Sequence, residues 1–203
     1  MPDTSPRNED SVPDVDSYDL GIGAGFYVDA TSEPYKKHYQ MFSYVSKELP
    51  SLLENELNLG KNGRKSICGH SMGGHGALTI ALKQGPSEWK SVSALAPICN
   101  PINCPWGRKA FSNYLGSVEA GGDHDATCLL LKESSPVFEN ILIDQGTFDQ
   151  FLEDQLKPHA LEDAAKQCGQ SVTINFRTGF DHSYFFVGAY IEDHVNFHSK
   201  YLK

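Results

Sequence analysis

One short stretch has the residue types and order needed to activate a hydroxyl: Gly69-His70-Ser71-Met72-Gly73, a match to Gly-x-Ser-x-Gly. In that motif the serine occupies a sharp strand-to-helix turn, and the glycines remove side chains that would collide there. The turn lifts the hydroxyl off the end of the sheet. It also aims the Met72 backbone N–H at the position where a carbonyl oxygen would gain charge, beside the positive end of a helix. A serine hydroxyl is a weak nucleophile and needs a base. On such an elbow the partners follow in the order acid, then histidine. Of the eight histidines, His159, His182, His194 and His198 lie well downstream. His194 and His198 stand four apart in a helical stretch and so share a face. No third ligand is apparent, and they read as a packed or surface face rather than a metal pair. His182 lies in Gly179-Phe180-Asp181-His182-Ser183, a loop after the last strand, and parallel folds place their chemistry at that end of the sheet. His70 and His75 adjoin the elbow ahead of any such acid, and His70 reads as a packed residue. For the acid, Asp144-Gln145-Gly146-Thr147-Phe148-Asp149-Gln150 offers two carboxylates. Asp144 ends a strand and is expected to bond the turn backbone. Asp149 lies further into the loop, where it could hold His182 in the correct tautomer. Spacing favours Asp149 only slightly.

Several elements must position these groups. Residues 1–33, rich in Pro, Asp, Ser and Gly, read as loop. Their Gly21-Ile22-Gly23-Ala24-Gly25 lacks the spacing and the preceding strand of a phosphate loop and reads as a tight loop beside a pocket. From Pro34 to Leu59, apolar residues recur every three or four positions, which predicts an amphipathic helix disturbed or restarted at Pro50. Strands are expected at Lys65–Gly69, Ser91–Ala96, Asn140–Ile143 and Val172–Phe176. Helices are expected at Met72–Gln84, 158–168 and about Ser183 to Tyr201, with short helical segments and loops over 97–139. Strands alternating with helices predict one domain with a mostly parallel α/β sheet.

The totals narrow the function classes. A chain of 203 residues suits one domain with a real core. The formal net charge of -9 repels phosphate backbones and makes nucleic acid a poor partner. No apolar run approaches the roughly 20 residues needed to span a bilayer. The first 20 residues carry no apolar stretch, so no secretory leader is expected. Cys68, Cys99, Cys104, Cys128 and Cys168 are odd in number and irregular in spacing. They read as reduced thiols of a cytoplasmic protein, and with no Cys-x-x-Cys pair they do not suggest zinc.

Taken together, several blocks resemble the S-formylglutathione hydrolase (esterase D) family. They are Pro2-Asp3-Thr4-Ser5-Pro6-Arg7, Gly23-Ala24-Gly25-Phe26-Tyr27-Val28-Asp29-Ala30-Thr31 and Gly69-His70-Ser71-Met72-Gly73-Gly74-His75-Gly76-Ala77-Leu78. Further on come Ala96-Pro97-Ile98-Cys99-Asn100-Pro101, Cys104-Pro105-Trp106-Gly107 and Asp181-His182-Ser183-Tyr184. The resemblance implies an α/β-hydrolase fold with Ser71 as nucleophile, His182 as base and Asp149 as acid. It implies hydrolysis of the thioester S-formylglutathione to formate and glutathione without metal or organic cofactor, with a general short-chain carboxylesterase as the alternative. Met72 would supply an oxyanion donor, and Trp106 with the Gly23–Tyr27 loop would line the cleft. Phe148, where the family usually has an acid, and Phe180, where it commonly has Tyr, are departures. A homodimer is compatible with the resemblance. In the family, further strands, a helix and a loop carrying a second oxyanion donor precede the Pro-Asp-Thr-Ser-Pro-Arg block. On that ground the 203 residues alone are expected to expose a strand edge, to be poorly stable and to be nearly inactive, an inactive family member being the remaining alternative.

Overall fold

The computed structural model describes residues 3–7, 15 and 17–203. Of the loop expected over 1–33, residues 1, 2, 8–14 and 16 lie outside the described residues, as does Pro2 of the first family-like block. Among the described residues, four strands form one sheet in the order β1-β2-β3-β4: β1 Ile67–His70, β2 Val92–Leu95, β3 Ile141–Gly146 and β4 Val172–Arg177. All pairs are parallel, with Ile67 opposite Val92, Val92 opposite Ile141 and Ile141 opposite Val172. Parallel neighbours need long crossovers, and helices supply them. These are α3 Met72–Gln84 between β1 and β2, α4 Pro105–Tyr114 and α5 Ala126–Lys132 between β2 and β3, and α6 Pro158–Cys168 between β3 and β4; α7 Tyr184–Ser199 follows β4. The first two helices, α1 Met41–Ser43 and α2 Leu49–Leu57, precede the sheet.

Alternation along the strands sorts their residues between two faces. Ile67, Val92, Ala94, Ile141 and Ile143 face α3, α5 and α6 and form the main core with Leu78, Ile80, Leu130 and Leu161. The other face, under α7, carries Cys68, Ser93 and Asp144, so its interior is polar. A second apolar cluster of Phe26, Tyr39, Leu95, Ile98, Phe111, Tyr114 and Phe186 sits above the C-terminal strand ends. It buttresses the loops that carry the chemistry.

The bounds of α3 coincide with the expected helix. Two expectations need correction, while the disturbance expected at Pro50 is present. Residues 34–39 form turns rather than helix, and the chain becomes helical only at Met41. Between α1 and α2, residues Tyr44–Glu48 widen into a π-turn in which the Leu49 N–H reaches the Tyr44 carbonyl. The following Pro50 has no N–H to give and would crowd the carbonyl four residues back, so the helix widens just before it. Finally, β3 runs on through Asp144 and Gln145 to Gly146. Asp144 therefore lies within the strand and does not bond a turn. Among the described residues, no helix is long and apolar enough to cross a membrane.

Candidate active site

The turn after β1 forces Ser71 into φ 58°, ψ −119°. Such a conformation costs on the order of 1–3 kcal/mol in a residue with a Cβ, and surrounding contacts must hold it. Here the Ser71 N–H donates to the Leu95 carbonyl at 2.9 Å, and the Ser71 carbonyl accepts from the His75 N–H at 3.0 Å and the Ile98 N–H at 3.3 Å. Gly69 is required by the same turn. A Cβ there would lie 2.1 Å from the Gly73 carbonyl oxygen. Gly76, one turn into α3, lets the Tyr27 ring lie flat against the helix, since a Cβ would come within 2.4 Å of that ring. His75, fully buried, meets the Phe26 carbonyl through Nε2 at 3.1 Å. A carbonyl only accepts, so Nε2 carries the proton and His75 anchors the Phe26 loop. Burial pushes His75 down to about 3 and keeps it neutral.

The structure brings residues 71, 149 and 182 together. His182 Nε2 lies 2.8 Å from Ser71 Oγ, and His182 Nδ1 lies 2.6 Å from Asp149 Oδ2. An ionised carboxylate only accepts, so Nδ1 is the protonated nitrogen and the Nε2 lone pair faces the serine hydroxyl. Asp149 is buried and also accepts from Gln145 Nε2 at 3.1 Å and from the Phe151 N–H at 2.9 Å. The two loops are laced together. The Phe148 N–H donates to the Phe180 carbonyl at 2.9 Å, and a Cβ on Gly146 would strike that same oxygen at 2.3 Å. Phe151 meets the His182 ring edge-on at 5.1 Å between centroids. His70 packs on the other side, 4.7 Å from the His182 ring. Burial pushes His70 down to about 4, so it adds no cation to the site.

A cavity of about 170 Å³ opens beside Ser71, lined by Gly23, Ala24, Phe26, Met72, Ile98 and Trp106 with Tyr18 and Asp19 at its edge. The Trp106 indole N–H donates to the Tyr18 hydroxyl at 3.1 Å, and the Trp106 backbone N–H to Gln155 Oε1 at 3.0 Å. The Gly23–Phe26 stretch thus borders this cavity. The Met72 N–H opens α3 and so has no intrahelical acceptor. Phe148, the departure beside Asp149, points outward and is largely exposed.

Sequence reasoning passed over Gln145, His70 as a neighbour of His182, and the pocket-edge pair Tyr18 and Asp19. Asp144 instead faces α7: it accepts from Asn175 Nδ2 at 2.7 Å and from Arg177 at 2.9 Å, and it faces His194 Nε2 at 3.6 Å. His194 and His198 pack on Ser93, at 2.8 Å through His194 Nδ1 and 2.7 Å through His198 Nε2. Among the described residues, no group of three or more His, Cys, Asp or Glu side chains is arranged to hold a metal ion.

The Esterase family model matches residues 1–197. The chain is 50% identical over 203 residues to the S-formylglutathione hydrolase of Arabidopsis thaliana, covering 100% of this chain and 70% of that enzyme. An S-formylglutathione hydrolase from Agrobacterium tumefaciens superposes with a TM-score of 0.92 at 44% identity, over 98% of this chain and 71% of that one. An S-formylglutathione hydrolase of Staphylococcus aureus, at 21% identity and a TM-score of 0.63, covers 85% of this chain and 68% of its own and shares the fold alone. The sheet, its flanking helices and the elbow at Ser71 are therefore those of an α/β-hydrolase, and identity of this order along the whole chain makes it a member of the S-formylglutathione hydrolase family of esterases.

Proposed function

We propose that the chain hydrolyses S-formylglutathione to formate and glutathione, with Ser71 as nucleophile, His182 as general base and acid, and Asp149 as the group that orients and stabilises the imidazole. The observation that carries this reading is the unbroken run from Ser71 Oγ through His182 to Asp149, at 2.8 and 2.6 Å, opening on a small apolar cavity. The thioester carbonyl enters beside Ser71. His182 Nε2 takes the hydroxyl proton as Oγ attacks the formyl carbon, and the resulting imidazolium is stabilised by the Asp149 carboxylate. The Met72 N–H donates to the developing oxyanion. The carbon–sulfur bond breaks and glutathione leaves with the proton held by His182. Water, deprotonated by the same imidazole, then releases formate from the formyl-serine.

A cavity of about 170 Å³ holds a formyl group easily, with Trp106 and Ile98 among its walls. The bulky peptide leaving group lies outward, toward Tyr18 and Asp19. We place the reaction in the cytoplasm, where reduced glutathione and the five free thiols of this chain are compatible.

The test is turnover of the full chain on S-formylglutathione beside nitrophenyl acetate and butyrate. Preference for the formyl thioester by a hundredfold or more is expected. Equal or faster turnover of the butyrate ester would convert the reading to a general carboxylesterase. Failure of Ser71 to label with a fluorophosphonate, together with no turnover, would leave a module without catalysis.

A further inference from the structure

A second nucleophile stands three residues before Ser71, on the α7 side of β1. Cys68 Sγ lies 3.9 Å from His194 Nδ1. The same Nδ1 meets Ser93 Oγ at 2.8 Å, and the buried His194 Nε2 faces Asp144 Oδ2 at 3.6 Å. From one turn further along α7, His198 Nε2 reaches Ser93 Oγ at 2.7 Å, and its Nδ1 reaches Ser91 Oγ at 2.7 Å. Behind Asp144 stands Arg177 from β4, which also pairs with Asp193 at 3.0 Å. A thiol, an imidazole and a carboxylate thus run in series from β1 across α7 to β3.

The charges of this series are set by its surroundings. The groups packed around Cys68 would by themselves raise its thiol, but hydrogen bonding, from His194 first, outweighs this and brings the thiol to about 6. Burial alone would lower His194, but Asp144 and the thiolate outweigh it and raise it to about 9. Both shifts run in the direction of a thiolate beside a charged imidazole. Cys68 is also exposed, whereas Cys99, Cys104 and Cys168 are buried and Cys128 is half-buried. Burial pushes the thiols of Cys99, Cys104 and Cys128 upward. The thiolate is the reactive form in thiol–disulfide exchange.

We propose that Cys68 is a modification site that takes a small-molecule disulfide, glutathione disulfide above all. The Cys68 thiolate attacks one sulfur of the disulfide. A bond forms between the two sulfurs as the original S–S bond breaks, and the other half leaves as a thiolate with the bonding electron pair. Cys68 is oxidised to a mixed disulfide, and half of the small molecule is reduced. His194 keeps its proton and turns to Asp144 alone. The choice of glutathione rests on the function proposed above, because a chain that releases glutathione works where glutathione is plentiful. The reactivity of the thiol does not rest on it.

Alkylation of the full chain with iodoacetamide across pH 5 to 9, followed cysteine by cysteine by peptide mass mapping, tests the thiol. Cys68 should react at about half its plateau rate at pH 6, where an ordinary thiol with pKa ≈ 8.5 runs about 300-fold below plateau. Glutathione disulfide and bis(2-hydroxyethyl) disulfide at pH 7 should each add one group, on Cys68, reversed by dithiothreitol. His194→Gln should move the alkylation midpoint up toward the ordinary range. The unsubstituted chain decides the matter even if that variant folds poorly. A Cys68 midpoint above pH 8 there, or modification of other cysteines with Cys68 spared, overturns the site. Modification by the hydroxyethyl compound but not by glutathione disulfide overturns the assignment of glutathione. Turnover of S-formylglutathione by the same untreated sample reports on Ser71 separately.

Discussion

Two series of nucleophile, imidazole and carboxylate share β1 and β3, and they differ in where the proton sits. Ser71, His182 and Asp149 gather at the C-terminal strand ends, whereas Cys68, His194 and Asp144 lie under α7 on the sheet face. In the first, the carboxylate accepts from His182 at 2.6 Å and otherwise only from neutral donors, Gln145 and the Phe151 N–H. In the second, Arg177 and Asn175 share the carboxylate, and the imidazole stands off at 3.6 Å. A serine hydroxyl is too weak an acid to give its proton to an imidazole before a carbonyl arrives. A thiol is a stronger acid, and the shifts at Cys68 and His194 favour the transfer in the resting state. The same three residue types thus make a site that waits for substrate in one place and a standing ion pair in the other. The element on the nucleophile and the company of the carboxylate decide which.

The sharpest way to break this comparison is to remove each nucleophile. Ser71→Ala should remove the chain's turnover of S-formylglutathione, a loss that reaches about 10⁶ in kcat when a fully active enzyme loses its serine nucleophile. Cys68→Ser should leave turnover within about twofold, because the Cys68 side chain meets His194 under α7, on the sheet face rather than at the strand ends. A large loss in both would mean that the two series are one functional unit. Next in size is the carboxylate of the first series. Asp149→Asn should cost about 10⁴ in kcat by fixing the wrong His182 tautomer, with the fold retained. Its counterpart should behave in the opposite way. Asp144→Asn should cost about 3 kcal/mol in urea unfolding, since it removes one partner of a buried ion pair from Arg177 and His194 while the Ser71 geometry persists. If Asp144→Asn instead abolished turnover in a chain of unchanged stability, the division between the two sites would fail.

What the sequence displayed and what it hid follow the same division. The elbow was legible because its requirements are local: a strand, two glycines, a serine and a helix in uninterrupted order. The helix bounds at Met72 and Gln84 followed from the same stretch. His182 was legible as the loop histidine after the last strand. The acid was not settled by spacing, because Asp144 and Asp149 differ only in which side of β3 and its loop they face. The structure separates them by carrying β3 to Gly146, which turns Asp144 under α7. Polar residues at the end of a strand imitate a loop, and here the strand continues, with Asp144 satisfied by Asn175 and Arg177 on β4. The Cys68 series was hidden because its members are joined only by the fold: Cys68 and His194 are 126 residues apart. One signal did exist. Cys68 stands opposite Ser93, Asp144 lies on the same face two residues beyond Leu142, the partner of Ser93, and polar residues recurring on one face of a parallel sheet predict a polar partner on the covering helix.

The smallest expected effect concerns pH and bears on the ion pair alone. The folded-state pKa of Cys68 is depressed, from 9.0 to about 6, so its contribution to stability is gained as pH rises through that window. That of His194 is raised, from 6.5 to about 9, so its contribution is complete below 6.5 and lost as pH rises toward 9. In the unsubstituted chain the two run in opposite directions over nearly the same range. Folding there transfers a proton from sulfur to nitrogen without taking one up. Its stability should accordingly be almost flat between pH 6.5 and 9, apart from other groups. Cys68→Ser removes the rising half and leaves His194 beside Asp144. The variant should then lose stability as pH rises through that range, with a slope of at most about 1.4 kcal/mol per pH unit. Urea midpoints for both proteins at several pH values measure the difference directly. Parallel curves would mean that the proton stays on sulfur, and the contrast between the two sites would reduce to one of geometry alone.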